Sequence, residues 1–182
     1  MKSFLPDLFP EHQTGYISSQ STHHAALRFA HLLNTTKDAF PLLLDSEKAY
    51  DRVSHEWLQT CLIKSGFLVS LTTLILNILH STSGQIITNN CLSFCFKIQS
   101  GVRQGDPLAP ILFILLIEPL LRDLEANQIH VQSHCDDLAV VATSSTLQSI
   151  QDSLHTYEQS FSALLNSSKS FLITKQHLPN SP

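Results

Sequence analysis

An apolar run that ends on a carboxylate constrains this chain most: Phe40-Pro41-Leu42-Leu43-Leu44 is followed directly by Asp45. Within this run, Leu42 to Leu44 reads as a buried strand that is apolar on both faces. Far downstream, Ile129 to His134 and Leu138 to Thr143 predict a hairpin with Asp136-Asp137 at its tip. Strand ends hold side chains rigidly, as metal chemistry requires. Three carboxylates are hard oxygen donors that select Mg²⁺ or Mn²⁺. Two such ions about 3.5–4 Å apart can clamp an in-line displacement at phosphorus. Asp45 and Asp136 are the best bridging ligands, with Asp137 a weaker third. Aspartates at strand ends and hairpin tips are also ordinary turn residues, so either acidic site alone keeps a structural reading.

The elements between these acids follow from periodicity. Ala25, Ala26, Phe29, Ala30 and Leu33 recur at helical spacing after an irregular start containing Pro6, Pro10 and Gly15. Ser54 is placed to cap a helix striped by Trp57, Leu58, Cys61 and Leu62, with Gly66 to stop it. Leu71, Leu74, Ile75, Ile78 and Leu79 mark another helix. Gln85–Thr88 and Leu92–Ile98 flank Asn89-Asn90, a hairpin-turn signal. Asp106-Pro107 predicts a capped helix start, and Pro119 a kink in that helix. Leu147, Ile150, Leu154, Tyr157, Phe161 and Leu164 form an amphipathic stripe, and Phe171-Leu172-Ile173 a short closing strand. This order predicts an α+β fold, an antiparallel sheet with helices packed on one face.

Composition narrows the class. Hydrophobic residues make up 43% of the 182, enough for one domain with a core. The formal net charge of −4 argues against an autonomous nucleic-acid binder, which usually carries a basic face. Cys61, Cys91, Cys95 and Cys135 contain no CxxC pair and read as free buried thiols, with Cys91 and Cys95 on a half-buried hairpin. The ten histidines are scattered rather than paired as ligands. Met1-Lys2-Ser3-Phe4-Leu5-Pro6 forms no secretory signal, and the apolar run Ile111–Ile117 is too short to span a bilayer. The expectation is an intracellular protein, with nucleus and cytoplasm unresolved.

One more segment matters: Ser100-Gly101-Val102-Arg103-Gln104-Gly105-Asp106-Pro107-Leu108. Two glycines allow close backbone approach to a ligand, and Arg103 and Gln104 add donors beside it. Alone, it reads equally well as a capped turn before a helix.

Together, these segments resemble the reverse transcriptase domain of non-LTR (LINE-type) retrotransposons. Leu44-Asp45-Ser46-Glu47-Lys48-Ala49-Tyr50-Asp51-Arg52-Val53 is similar to the family's first catalytic motif, and Gly101 to Leu108 to its nucleotide-side motif. Asp136-Asp137-Leu138 matches the second catalytic pair. Gln13-Thr14-Gly15-Tyr16-Ile17 resembles a fingers motif, and Leu165-Asn166-Ser167-Ser168-Lys169-Ser170 the later lysine-bearing motif. The matches run in family order over about Glu11 to Thr174.

The resemblance implies a polymerase palm with partial helical fingers. Residues 1–40 and about 66–100 would be fingers-like, 41–65 and 101–175 palm, and 176–182 a tail. It implies RNA-directed DNA polymerase activity, a nucleotidyl transfer from dNTP to a primer 3′-hydroxyl that releases pyrophosphate. Asp45, Asp136 and Asp137 would be catalytic and hold two Mg²⁺ (or Mn²⁺) ions. Tyr50 would exclude a ribose 2′-hydroxyl, with Arg103, Gln104 and Gly105 lining the nucleotide. Lys169 would protonate the departing pyrophosphate. The bland readings pack Tyr50 beside Trp57 and make Lys169 a solvated turn lysine.

The implied partners are an RNA template, a DNA primer, dNTP, and the thumb and endonuclease segments of a longer polyprotein, with no membrane. Those segments and the earlier fingers strands are expected to lie outside this span, in keeping with its acidic charge. Three departures stand out. His134 and Cys135 occupy positions where the family usually carries an aromatic residue and Ala, and Gln20 stands in place of an Arg. The residues at 134 and 135 and the expected lack of a thumb support an alternative, a non-catalytic domesticated or decayed palm that scaffolds nucleic acid or protein, which the three aspartates oppose.

Overall fold

The computed structural model describes residues 12–17, 21–161, 166 and 168–172. Gln20, Leu164, Leu165, Ser167 and Ile173, each singled out in the sequence, lie outside that set, as do Pro6 and Pro10.

Helix α1 (Thr22–Thr35) leads into β1 (Phe40–Leu44), then α2 (His55–Lys64) and α3 (Val69–His80). Four short strands follow: β2 (Ser83–Gly84), β3 (Ile87–Thr88), β4 (Cys91–Leu92) and β5 (Phe96–Lys97). The chain continues as α4 (Ala109–Ala126), β6 (His130–His134), β7 (Asp137–Ala142), α5 (Leu147–Phe161) and β8 (Phe171–Leu172). The main sheet has four strands in the order β6-β7-β1-β8, and every ladder in it is antiparallel.

Alternation along the strands divides this sheet into two faces. Leu44, Leu138, Val140, Ala142 and Val131 point into the core. There they meet the apolar side of α4, where Phe113, Leu116 and Leu121 are almost fully buried. Burial of each such side chain contributes about 1.5–3 kcal/mol. Helices α2 and α5 pack against α4, and α3 packs against α2. On the opposite face, α1 lies against β6 and β7. With Leu43, Ala139 and Phe171 it walls an open cleft of about 590 Å³.

That cleft corrects the reading of β1 as apolar on both buried faces. Only Leu44 is buried, and Leu43 is 37% exposed. The leucine run serves a core on one side and lines the cleft on the other.

Local signals mostly hold. Ser54 Oγ accepts from the Trp57 amide (3.3 Å), capping α2. Gly66 stops that helix in the left-handed region, at φ +80°. Asn89 and Asn90, at φ +47° and +61°, turn the β3–β4 hairpin as the Asn-Asn pair predicts.

Other boundaries shift. Asp106 Oδ1 accepts from the Leu108 amide (2.8 Å) and shapes a turn, and the helix proper begins at Ala109. Pro119, where a kink is expected, lies inside α4, which runs to Ala126. Cys91 and Cys95 are exposed because the β2–β5 segment projects from the body, with Phe94 98% exposed. All four cysteines are free.

The acidic hairpin also differs by one position. His134 pairs with Asp137, so the two-residue loop is Cys135-Asp136 and Asp137 is the first residue of β7. The ladder is one residue longer than its polar composition suggested.

Candidate active site

The β1–β7 register aligns Leu44 with Leu138 and Leu43 with Ala139. One step beyond the ladder, the same register sets Asp45 opposite Asp137. Both face the cleft, where Lys169 joins them. Asp136 lies in the adjoining loop, half-buried. Its carboxyl is pushed up from the usual range first by burial, then by the negative charges of Asp137 and Asp45. Acids far apart in the chain therefore share one end of the sheet closely enough to repel.

Among the described residues, no three His, Cys, Asp or Glu side chains close into a metal cage. The donor set still fits a hard divalent cation: the side chains are oxygen donors, they are negative, and their mutual repulsion is relieved by added positive charge.

The backbone of Asp45 is held from both sides. Its carbonyl accepts from the Asn166 amide (2.8 Å), and its amide donates to Ser170 Oγ (3.3 Å). Asn166 Oδ1 also accepts from the Ser168 amide (3.2 Å), turning the chain so that Lys169 reaches the cleft. Lys169 is itself exposed.

Tyr50 stacks on Phe113, with ring centroids 4.7 Å apart, rather than simply on Trp57. Its hydroxyl lies beside Cys135 and Asp136; burial and those neighbours hold it protonated far above the ordinary phenol range. The Cys135 thiol is pushed up to about 11, chiefly by burial and then by Asp136.

The glycine-containing loop is laced to the segment after Asp45. The Val102 amide donates to the Tyr50 carbonyl (2.8 Å), and the Gly101 amide to the Val53 carbonyl (2.8 Å). Arg103, Gln104 and Gly105 are exposed beyond this seam. They therefore neighbour Tyr50 through the backbone but do not line the cleft that holds Asp45, Asp137 and Lys169.

The sequence reading gave no role to Gln13, Ser133, Asn166 or Ser170. The segment that resembles a fingers motif runs along the free edge of β6, where Gln13 bridges Ser133 in parallel. The Thr14 amide donates to the Ser133 carbonyl (2.9 Å), and the Ser133 amide to the His12 carbonyl (2.7 Å). His12, buried in the interior, is further tied to Glu125 of α4. Thr14 Oγ1 contacts His134 Nδ1 (3.2 Å), so the histidine at the departing position is anchored by this edge. A Gln-Thr pair amid polar residues carries no periodicity, so only the family likeness flagged it.

The profile of the family described as "Reverse transcriptase (RNA-dependent DNA polymerase)" matches residues 1–178. That family works with divalent metal ions. Curated relatives include the RNA-directed DNA polymerase from mobile element jockey of Drosophila funebris, 27% identical over 84% of this chain and 18% of its own length. The transposon TX1 149 kDa protein of Xenopus laevis is 30% identical over 71% of the chain and 11% of its length. The chain thus spans less than one fifth of either relative. Among solved structures, telomerase from Candida tropicalis in complex with a fragment of telomeric RNA superimposes with a TM-score of 0.70. It is 15% identical and covers 91% of this chain and 30% of the telomerase, a likeness of fold. Among the described residues, no helix is long and apolar enough to cross a membrane.

Proposed function

Because this chain belongs to the reverse transcriptase family, we propose that its cleft carries RNA-directed DNA synthesis, adding dNTPs to a primer 3′-hydroxyl on an RNA template. The observation that carries this reading is that the β1–β7 ladder brings Asp45 and Asp137 to one cleft, with Asp136 in the adjoining loop. Repelling acids gathered at one sheet end suit a site that takes cations and polyphosphate, whose positive ions relieve the repulsion.

In this reading Asp45, Asp136 and Asp137 hold two Mg²⁺ or Mn²⁺ ions. Bound there, such ions would activate the primer hydroxyl and neutralise charge on the departing pyrophosphate. The chain's own residues do the rest. Tyr50, braced by Phe113, meets a ribose 2′-hydroxyl with steric clash. Arg103, Gln104 and Gly105 present donors and open backbone to the nucleotide. Lys169, at the same cleft as Asp45 and Asp137, supplies a proton to the pyrophosphate oxygen. Residues 41–65 and 101–175 form the palm, with 1–40 and about 66–100 fingers-like and 176–182 a tail; Gln13 crosses to the palm edge. Template grip and further segments belong to the remainder of a longer polyprotein.

The test is primer extension on an RNA template by the chain with dNTP and Mg²⁺ or Mn²⁺, also with a related thumb fused on. Extension that disappears in Asp136→Asn supports the reading. Failure in both formats, with no calorimetric heat from Mg²⁺ and dNTP, would leave the non-catalytic scaffold. The lack of a closed three-acid cage among the described residues favours that second reading.

A further inference from the structure

Cys135, the first residue of the acidic loop, adopts φ +58°. A two-residue hairpin loop that needs a positive φ at its first position usually takes glycine there. A side chain in that region costs on the order of 1–3 kcal/mol and persists only where the surroundings over-determine it. Here they do. Gln13 Oε1 accepts from the Cys135 amide (3.3 Å) and from the Gly15 amide (2.8 Å). Two N–H donors meeting one terminal atom identify it as the oxygen. Gln13 Nε2 then donates to Ser133 Oγ (3.0 Å), and Ser133 Oγ donates to the Cys135 carbonyl (3.1 Å). Both backbone polar groups of the left-handed residue are thus satisfied by two side chains that bond each other. Gln13 is fully buried and Ser133 almost so.

Gly15 completes the fit. A Cβ there would meet Cys135 Sγ at 2.4 Å and its amide nitrogen at 2.8 Å. The loop is therefore fastened by one amide side chain and backed by bare backbone.

We propose that Gln13, acting with Ser133, is a positioning residue for Asp136: it sets the backbone of the loop that holds this carboxylate within electrostatic reach of Asp137 and Asp45. The inference rests on the reading of Asp136 as a metal ligand. Gln13 touches neither nucleotide nor cation; it acts through the conformation of Cys135. An aliphatic side chain of similar length fills the same space but leaves the Cys135 amide unpaired.

The test uses the full 182-residue chain as wild type, Gln13→Met, Ser133→Ala and Asp136→Asn, with two readouts. The first is hydrogen exchange at the Cys135 amide, referenced to amides of the Leu42–Val140 ladder. Gln13→Met should speed exchange at Cys135 roughly tenfold with the ladder unchanged, as expected for one lost hydrogen bond. The second is Mn²⁺ affinity by electron paramagnetic resonance, which should weaken about tenfold or more in Gln13→Met, as when a partner that orients a ligand is lost. A Cys135 amide that stays protected, or one released while Mn²⁺ affinity holds, overturns the inference. If Gln13→Met loses the ladder amides and so fails to fold, Ser133→Ala decides by the same two readouts. Asp136→Asn separates the two failures. Undiminished Mn²⁺ binding in that variant overturns the metal-ligand reading, and the positioning role with it. Lost binding there beside unchanged binding in a folded Gln13→Met or Ser133→Ala overturns the positioning role alone.

Discussion

Gly101 rests directly on the backbone of Asp51: a Cβ built on it would stand 2.8 Å from the Asp51 carbonyl oxygen and 3.0 Å from its Cα. The glycine also adopts φ +92°, and its carbonyl contacts His55 Nε2 (3.0 Å). Moving away would break that bond and the one to Val53.

Gly101→Ala should therefore destabilise the chain by about 2–4 kcal/mol, combining backbone strain with a contact that cannot relax. Gly105, at φ +88°, has open space where its Cβ would stand. Gly105→Ala should cost only the conformational part, about 1–2 kcal/mol. Urea unfolding of the two variants checks the difference, and equal losses would contradict it.

Glu118 offers a pH test. Its carboxyl is pushed up to about 7 because burial outweighs the Arg122 guanidinium on Oε1 (2.7 Å). Its other oxygen is buried without a hydrogen-bond partner among the described residues. A folded-state value above the unfolded one favours folding at low pH. That contribution is whole below about 4.5 and lost as pH rises through about 7. Glu118→Gln should match wild type near pH 5 and exceed it near pH 8, by up to about 3 kcal/mol. Thermal melts across that window check it; a constant difference between the two proteins would refute the assignment.

Asp136 shifts in the same direction. Asp136 is raised by burial and by its acidic neighbours, so its charge opposes folding near neutral pH and protonation relieves that cost. Asp136→Asn should thus raise the metal-free melting temperature at pH 7 and shrink the stabilisation that Mn²⁺ provides. Protons compete with the cation, so Mn²⁺ affinity of wild type should fall as pH is lowered and flatten in the variant. Paired melts with and without Mn²⁺ at several pH values read both effects.

Tyr50 tests the nucleotide reading. Its ring, stacked on Phe113, would clash with a 2′-hydroxyl, whereas its hydroxyl group would contribute little to that exclusion. Tyr50→Phe should keep the preference for dNTP over NTP. Tyr50→Ala should reduce it by about tenfold or more, since opening space removes the clash. Competition between dATP and ATP in the presence of Mn²⁺, followed by calorimetry, measures the ratio. Unchanged selectivity in Tyr50→Ala would remove the gate.

How much was legible in advance depended on range. Local chemistry announced the turn at Asn89-Asn90, the Ser54 cap and the stop at Gly66, because each is decided within a few residues. The convergence of Asp45 with Asp136-Asp137 was legible only from their joint occurrence with the Gly101–Leu108 segment, since either acidic site alone reads as a turn. The exposed side of Leu43 was not, since a leucine run reads alike whether it faces a core or a cleft wall. The tip of the acidic hairpin slipped by one position because nothing in His134 or Asp137 advertises a paired residue. The role of Gln13, as distinct from its motif, escaped for a stronger reason: its partners are Gly15, Ser133 and Cys135, and no periodicity links an amide to a loop some 120 residues away.

The distance along the chain between those partners has a consequence for assembly. Residue 13 leaves the ribosome long before residue 133, and loop closure across such a span is entropically slow to be repaid. The β6–β7 hairpin can zip through its local ladder first, leaving the acidic turn unshaped until the early segment docks on the sheet edge. Maturation of the acidic corner would then be a late event, gated by the arrival of a polar segment rather than by collapse of the interior.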